Sequence, residues 1–371
     1  MPEHIAVAFV GCTHPHVFSR LELLRAEPGV RLAGSFDPDS RLSAALERDY
    51  GLPAFGSADT LLDQPGVNLV VIEGWDTDNP GYVRRAIERN QAVLLEKPGA
   101  PDLLTMRAVL ADLRRHPVPF QIGYQLRHSP VLPHVRRILA EGVLGPITLV
   151  RTHAAAPVGG AAEPWQSVPG DLGGLLFTDG CHMLDLIVHL LGAPRRVIGT
   201  TLTLPAGPPV LAHGYKRDTL LVRGETVEIP LGGLMYEDAA AAILHYGDKL
   251  VAFDITGWEA HPWVETWRME FYGTDGTLYV GLEPPSYRLY VRNPRVGYEP
   301  GWHDWQALKP SSPIDPTYTG EMAEMLRRVR AWDTDNDRWL ADSETVFVIL
   351  DEIFRMARKD APRTAGRPGE A

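Results

Sequence analysis

Cysteine is scarce in this chain. Cys12 and Cys181 are the only two among 371 residues, too few for a disulfide framework. Basic excess is missing as well: the formal net charge is −11. A nucleic-acid partner is therefore not expected, because phosphate binding needs a basic face. No apolar run reaches the length of about 18 residues that a membrane-spanning helix requires. The opening MPEHIAVAFVG lacks a basic region followed by a long apolar core. No signal peptide is expected, and a cytoplasmic location is the simple expectation. The composition that remains, 44% hydrophobic and 22% charged, suits a soluble globular protein with room for two domains.

Up to about residue 125 two patterns alternate. Short runs rich in Val, Ile, Leu and Ala occupy 5–10, 30–36, 67–73, 91–96 and 118–123. Amphipathic stretches of helical period occupy 40–50, 79–90 and 102–116. Strand–helix alternation with near-continuous apolar strands predicts a parallel sheet covered on both faces. Ligands of such sheets sit at the carboxyl ends of the strands. Beyond residue 125 the rhythm changes. One helix is expected from Val131 to Glu141 and another in LLFTDGCHMLDLIVHLLG, which has helical spacing. From 195 to 293 strand-like segments follow one another, predicting a mainly antiparallel sheet. Asp-Gly within 273–277 predicts a hairpin turn with positive φ. Residues 296–316 read as loop, and helices are expected near 317–332 and 341–358. No internal repeat is visible.

Glycine is missing where the fold most often uses it. After the first strand, AFVGCTHPHVF (8–18) has Gly11, Thr13 and His16 at the three places where a phosphate-binding loop reads Gly-x-Gly-x-x-Gly. Gly11 can still make the tight turn, and a helix N-terminus still favours an anion. The loop alone is equally consistent with a strand–helix turn that binds nothing. Asp37 ends the second strand, where a carboxylate accepts ribose hydroxyls and repels a 2′-phosphate. A helix N-cap is its plainer role, one that Asp39 or Ser40 could also fill. In LLEKPGA (94–100), Glu96 and Lys97 end a buried strand at the ligand crevice, although such a pair is more often solvated. Lys97 could donate to a substrate oxygen or move a proton. In GGLLFTDGCHMLDL (173–186), His182 has Asp179 three residues before it and Asp185 three after, the spacing at which a carboxylate orients an imidazole. His14 and His16, with His182, raise a metal site. A third and fourth ligand cannot be placed from the sequence, so no metal is assigned.

These segments together resemble the Gfo/Idh/MocA oxidoreductases, the family of glucose–fructose oxidoreductase and inositol dehydrogenase. The resemblance runs to about residue 355. It rests on the N-terminal strand–helix pattern, on EKP (96–98), on GYQLRHSP (123–130) and on the GG…D-G-x-H-x-x-D-L segment at 173–186. It implies a Rossmann-type parallel-sheet α/β domain at 1–125. An α+β domain with a mainly antiparallel open sheet would follow at 126–358, and a disordered tail at 359–371. It implies NAD as cofactor, with NADP possible, held by Gly11, Cys12, Thr13, His14, His16, Asp37, Glu73, Trp75, Glu96 and Lys97. Lys97 and His182 match the catalytic lysine and histidine, with Asp179 beside them. Arg127, His128, Trp165 and Asp185 are candidates for the substrate wall. Three departures stand out. Only the first glycine of the fingerprint is kept. Thr178 occupies the place where relatives often carry an acid, with Asp179 displaced by one residue, about 100° around a helix. IEGWDTDNP (72–80) replaces the usual Ala-Thr-Pro-x-x-x-His loop, expected after the fourth strand. The expected activity is NAD(P)-dependent oxidation or reduction of a sugar, polyol or related hydroxyl or carbonyl compound, in a homo-oligomer joined through the C-terminal sheet. The alternative is a non-catalytic nucleotide-binding sensor or regulator on the same fold.

Overall fold

A computed structural model describes residues 4–157, 174–205, 207–213, 226–230, 237–259, 267–308 and 314–360. The first apolar runs form β1 (Ile5–Cys12), β2 (Val30–Phe36), β3 (Val67–Glu73), β4 (Ala92–Leu95) and β5 (Phe120–Ile122). They make one sheet in the order β2-β1-β3-β4-β5, with every pair parallel. β1 is buried at all its positions, as a strand covered on both faces must be. The covering helices are α1 (Val17–Ala26), α2 (Ser40–Tyr50), α3 (Ala58–Leu62), α4 (Asn79–Glu88) and α5 (Leu103–Arg115). α2 shows why its bounds were readable. Asp39 accepts from the Arg41 N–H at its start, and Gly51 ends it at φ +66°. The strand order reverses between β1 and β3, so a crevice opens at their carboxyl ends.

The chain continues through α6 (Leu132–Ala140), β6 (Ile147–Pro157), a π-helical turn (Leu176–Gly180) and α7 (Cys181–Leu191). Then come β7 (Arg196–Leu202), β8 (Pro209–His213), β9 (Thr226–Pro230), β10 (Ala239–His245) and β11 (Leu250–Glu259). β12 (Arg268–Gly273), β13 (Gly276–Gly281), β14 (Ser286–Val291) and β15 (Gly301–Gln306) follow. Eight of these strands form a second sheet, β15-β14-β13-β12-β6-β11-β10-β7. It is antiparallel throughout except between β6 and β11. β8 and β9 pair separately.

Two expectations need correcting. The β12–β13 hairpin exists, but its glycines are not in the positive-φ region. The loop residues are Thr274 and Asp275, and Gly276 opens β13. A Cβ there would meet the Tyr290 carbonyl at 2.6 Å, so close strand approach, rather than turn conformation, requires the glycine. Within the stretch read as loop, 301–306 is β15, an edge strand without a buried position. No apolar alternation marked it.

Following the strand register, Ile198, Ile243, Leu250, Tyr279, Tyr290 and Trp302 all point to one face of the large sheet. All are partly or largely exposed. The last two helices, α8 (Pro316–Ala331) and α9 (Asp337–Asp360), return to the first sheet. Met322, Met325, Leu326 and Val329 of α8 share a core with Ile5, Val7 and Phe9 of β1, while α9 packs on α5, α7 and β7. Among the described residues no helix is long and apolar enough to cross a membrane. Because Met325 is fully buried between α8 and the sheet, Met325→Ala is expected to lower unfolding free energy by about 2–5 kcal/mol, read from denaturant midpoints at unchanged slope.

Candidate active site

The crevice begins with a close contact. Gly11 has φ +71°, and a Cβ on it would lie 2.3 Å from the Gly74 Cα. Only glycine lets the β1 end and the β3 end touch in this way. The Thr13 and His14 N–H groups both donate to the Glu73 carbonyl at 3.1 Å, which holds the loop against β3. Asp37 closes the other side. It accepts from the Cys12 N–H at 2.6 Å, the Thr13 hydroxyl at 3.3 Å and the Asp39 N–H at 2.7 Å. Burial raises its carboxyl above the usual range, against those three bonds. The N-cap of α2 belongs to Asp39, so Asp37 is not needed there.

Behind the loop lies a group that the sequence reading missed. Arg20 of α1 is fully buried. Its guanidinium donates to Glu73 at 2.7 Å, to Glu96 and to Glu321 of α8 at 2.8 and 3.0 Å. Burial pushes the Glu73 carboxyl up to about 8, against the pull of Arg20. Glu96 is buried too, but His14, Arg20 and Lys97 outweigh that and bring it below its ordinary value. A signal did exist. The buried face of α1 is Val17, Arg20, Leu21 and Leu24, and an arginine inside an apolar i, i+3, i+4, i+7 stripe marks a buried ion pair.

The front of the crevice carries the candidate chemistry. Lys97 is buried, and its Nζ donates to the Thr178 carbonyl at 2.7 Å. Its Nζ is also 4.0 Å from Glu96 Oε1. Thr178 lies on the π turn that precedes α7. A π turn has i→i+5 bonding and so leaves a carbonyl for an outside donor. His182, one turn later, is buried among Tyr124, Trp267 and His16, with ring centroids at 6.0, 6.2 and 6.4 Å. Burial, reinforced by Lys97, lowers its pKa well below the ordinary value, so the ring is neutral. Residues 97 and 182 thus converge, one from the segment after β4 and the other from α7.

The orienting carboxylates do not behave as the spacing suggested. His182 Nδ1 has no hydrogen-bond partner among the described residues. Asp179 lies in the π turn and His182 in α7, so regular α-helical spacing does not relate the two. Asp185 instead faces Arg127, donating partner and acceptor being joined in a bidentate pair at 2.6 Å for the Nε bond. Arg127 also pairs with Asp342 at 3.0 Å and stacks 4.2 Å from the Trp339 ring. Their polar atoms therefore hold α7 to α9. His128 packs against Gly320 of α8, and burial lowers its pKa to about 4. Trp165 lies outside the described residues. Trp75 borders the crevice with Thr13, His14, Gly74, Asp76, Glu96, Lys97 and Thr178, around a cavity of about 20 Å³.

Comparison with known proteins decides what these two units are. Residues 5–124 match the model of an oxidoreductase family with an NAD-binding Rossmann fold, and residues 133–279 match the Gfo/Idh/MocA C-terminal domain. The chain belongs to the Gfo/Idh/MocA oxidoreductase family. It is 22% identical to the scyllo-inositol 2-dehydrogenase (NAD(+)) of Bacillus subtilis over 283 residues, 76% of this chain and 75% of that one. It is 27% identical to an inositol 2-dehydrogenase of Streptomyces avermitilis, over 55% of this chain and 56% of that one. Its fold is similar to that of an oxidoreductase from Agrobacterium radiobacter solved with NAD+, L-tartaric acid and magnesium. There the TM-score is 0.75 at 16% identity, covering 96% of each chain. It is equally similar, at TM-score 0.75 and 16% identity over 96% of this chain and 98% of that one, to a levoglucosan dehydrogenase solved with NADH and levoglucosan.

Within this NAD-binding family the residues present fit the adenosine half of the cofactor well. Gly11 and Gly74 let the ends of β1 and β3 meet backbone to backbone with no side chain between them, and Asp37 follows the end of β2. Buried polar atoms of Asn79, His16 and Glu96 have no hydrogen-bond partner, so the surroundings suit a polar guest. The Glu73 side chain does not fit, because it is turned away into Arg20; its carbonyl serves the loop instead.

Removing the guanidinium would leave three buried carboxyls without their cation. Arg20→Met is expected to cost about 3–5 kcal/mol of stability at pH 8. In the variant the folded-state carboxyl pKa values rise, those of Glu73 and Glu321 from above the unfolded value of about 4.3 and that of Glu96 from below it, so stability is lost as pH rises from that value through the raised folded-state values. Denaturation at pH 5 should therefore show a smaller deficit than at pH 8.

Proposed function

We propose that this chain is a dehydrogenase that uses NAD to oxidise a hydroxyl of a sugar, polyol or related compound, or to reduce the matching ketone. Residues 1–125 are taken as the cofactor unit, and residues 126–358 as the substrate and assembly unit. One observation carries the reading: Lys97 reaches across to the carbonyl of Thr178, a turn from His182, at the mouth of the crevice. The names of the relatives, inositol 2-dehydrogenases and a levoglucosan dehydrogenase, agree with a polyhydroxylated substrate.

Nicotinamide, when bound, supplies the acceptor for the two electrons and the carbon-bound hydrogen. The chain does the rest. Lys97 Nζ holds the reacting oxygen in exchange for the Thr178 carbonyl. The neutral His182 imidazole, kept neutral by burial, takes the hydroxyl proton, and in reduction a protonated His182 returns it. Tyr124 and Trp267 fix the ring by edge contacts. Asp37 holds the ribose and repels a 2′-phosphate, which favours NAD over NADP. The partly exposed face of the large sheet is the surface through which copies of the chain would associate.

The test is nicotinamide absorbance against a panel of polyols, sugars and ketoses. With an active substrate, Lys97→Ala and His182→Ala are each expected to lower turnover by about two to four orders of magnitude. Thr178→Ala should cost far less, because the carbonyl that Lys97 uses belongs to the backbone. Turnover near the wild-type value in both of the first two variants would overturn the assignment. Asp37→Ser should narrow the preference for NAD over NADP, measured by titrating both cofactors into each protein.

A further inference from the structure

We propose that His14, His16 and Glu96 form a binding site for one divalent transition-metal cation of the Zn²⁺ type. The site goes beyond the redox reading and does not depend on it. The sequence presented two imidazoles in His-Pro-His without a third ligand. The third comes from β4's end, 80 residues later: Glu96 Oε1 lies 3.6 Å from His14 Nδ1 and 3.1 Å from His16 Nδ1. The three ligand atoms lie within 4.8 Å of one another. Around a tetrahedral cation with bonds of about 2.0–2.1 Å, neighbouring ligand atoms stand about 3.3–3.4 Å apart. The two contacts to Glu96 bracket that separation.

A shared proton explains this geometry less well. His16 Nδ1 and Glu96 Oε1 are 3.1 Å apart, yet neither makes a hydrogen bond among the described residues. Their approach is close but not aligned for a proton between them. A cation lies off the line joining its ligands and suits such an approach. The His16 N–H donates to His14 Nδ1 at 3.3 Å, which keeps the two rings side by side. The carboxylate is also oriented as a ligand should be. Arg20 holds the other oxygen, Oε2, and leaves Oε1 facing the rings. Lys97 is the competing cation, but at 4.0 Å from Oε1 it is bonded instead to Thr178.

Two imidazoles and one carboxylate are the donor set of open zinc sites, which keep a fourth position for water or substrate. The cavity of about 20 Å³ bordered by His14, Glu96, Lys97 and Thr178 is large enough for one such oxygen. The site therefore takes a small cation with an exchangeable oxygen ligand, beside the residues assigned to proton transfer.

The experiment uses the full chain, stripped with chelator and kept free of nicotinamide and substrate. Zn²⁺ alone is added, unbound metal is removed by gel filtration, and bound metal is counted by mass spectrometry. One equivalent per chain is expected. Co²⁺ in place of Zn²⁺ should give the intense visible bands of a four-coordinate centre. Binding should weaken by more than about a hundredfold in His16→Asn and in Glu96→Gln, and stay unchanged in His116→Asn, an exposed histidine at the end of α5. Added Zn²⁺ should raise the melting temperature of the wild type and not of His16→Asn. Wild-type protein that retains no stoichiometric metal would overturn the proposal. So would wild-type stoichiometry in His16→Asn, a half-buried position whose variant decides the matter if Glu96→Gln does not fold. Because no turnover is measured, a negative result here leaves the dehydrogenase reading to its own test.

Discussion

The arrangement around the crevice depends on Arg20. A guanidinium in the interior is tolerated only when its charge is matched and its donors are taken. Here the match comes from three places: Glu73 at the end of β3, Glu96 after β4, and Glu321 on α8. The farthest stands 301 residues from Arg20 in the chain. The ion cluster therefore ties the first helix, the strand ends that frame the crevice and a helix from the far end of the chain to one point. With one arginine against three carboxyls the charges do not balance. Burial accordingly pushes the Glu73 carboxyl up to about 8 and raises that of Glu321, against the pull of Arg20.

That cluster sets the stage for the groups in front of it. Fixing Glu96 Oε2 determines where Oε1 points, and hence which atoms face His14, His16 and Lys97. The loop itself is held differently from the glycine-rich version of this fold. Two of its N–H groups end on the Glu73 carbonyl, and its second and third glycine positions carry Thr13 and His16. What was lost in backbone openness was replaced by side-chain chemistry, two neutral imidazoles beside a carboxylate. Across the crevice the π turn has a comparable part. It presents the Thr178 carbonyl to Lys97.

Sequence alone determined a good deal. β1, β3, β4 and β5 were readable because they are buried on both faces at nearly every position, whereas β2, at the sheet edge, is only half buried. Amphipathic period gave α2, α4 and α5 to within a few residues, and Asp39 with Gly51 marked both ends of α2. The pairing of EKP with the histidine segment identified the family, since local composition of that kind survives low identity. β15 was hidden because an edge strand with no buried position needs no apolar alternation.

Pair identities were decided only by the tertiary structure. Asp185 stood three residues from His182 and was a reasonable orienting group, yet Arg127 takes both of its oxygens. Glu73 stood at the crevice in sequence, yet Arg20 draws it inward. Nothing in the order of residues says that Glu321 meets Arg20, or that Glu96 meets two histidines of another loop. Patterning along the chain reports which side chains avoid water, because burial is a property of each residue and its period. Which charge meets which is a property of distance between segments. It is settled by desolvation, which forces every buried ion to find a partner wherever the fold has brought one within reach.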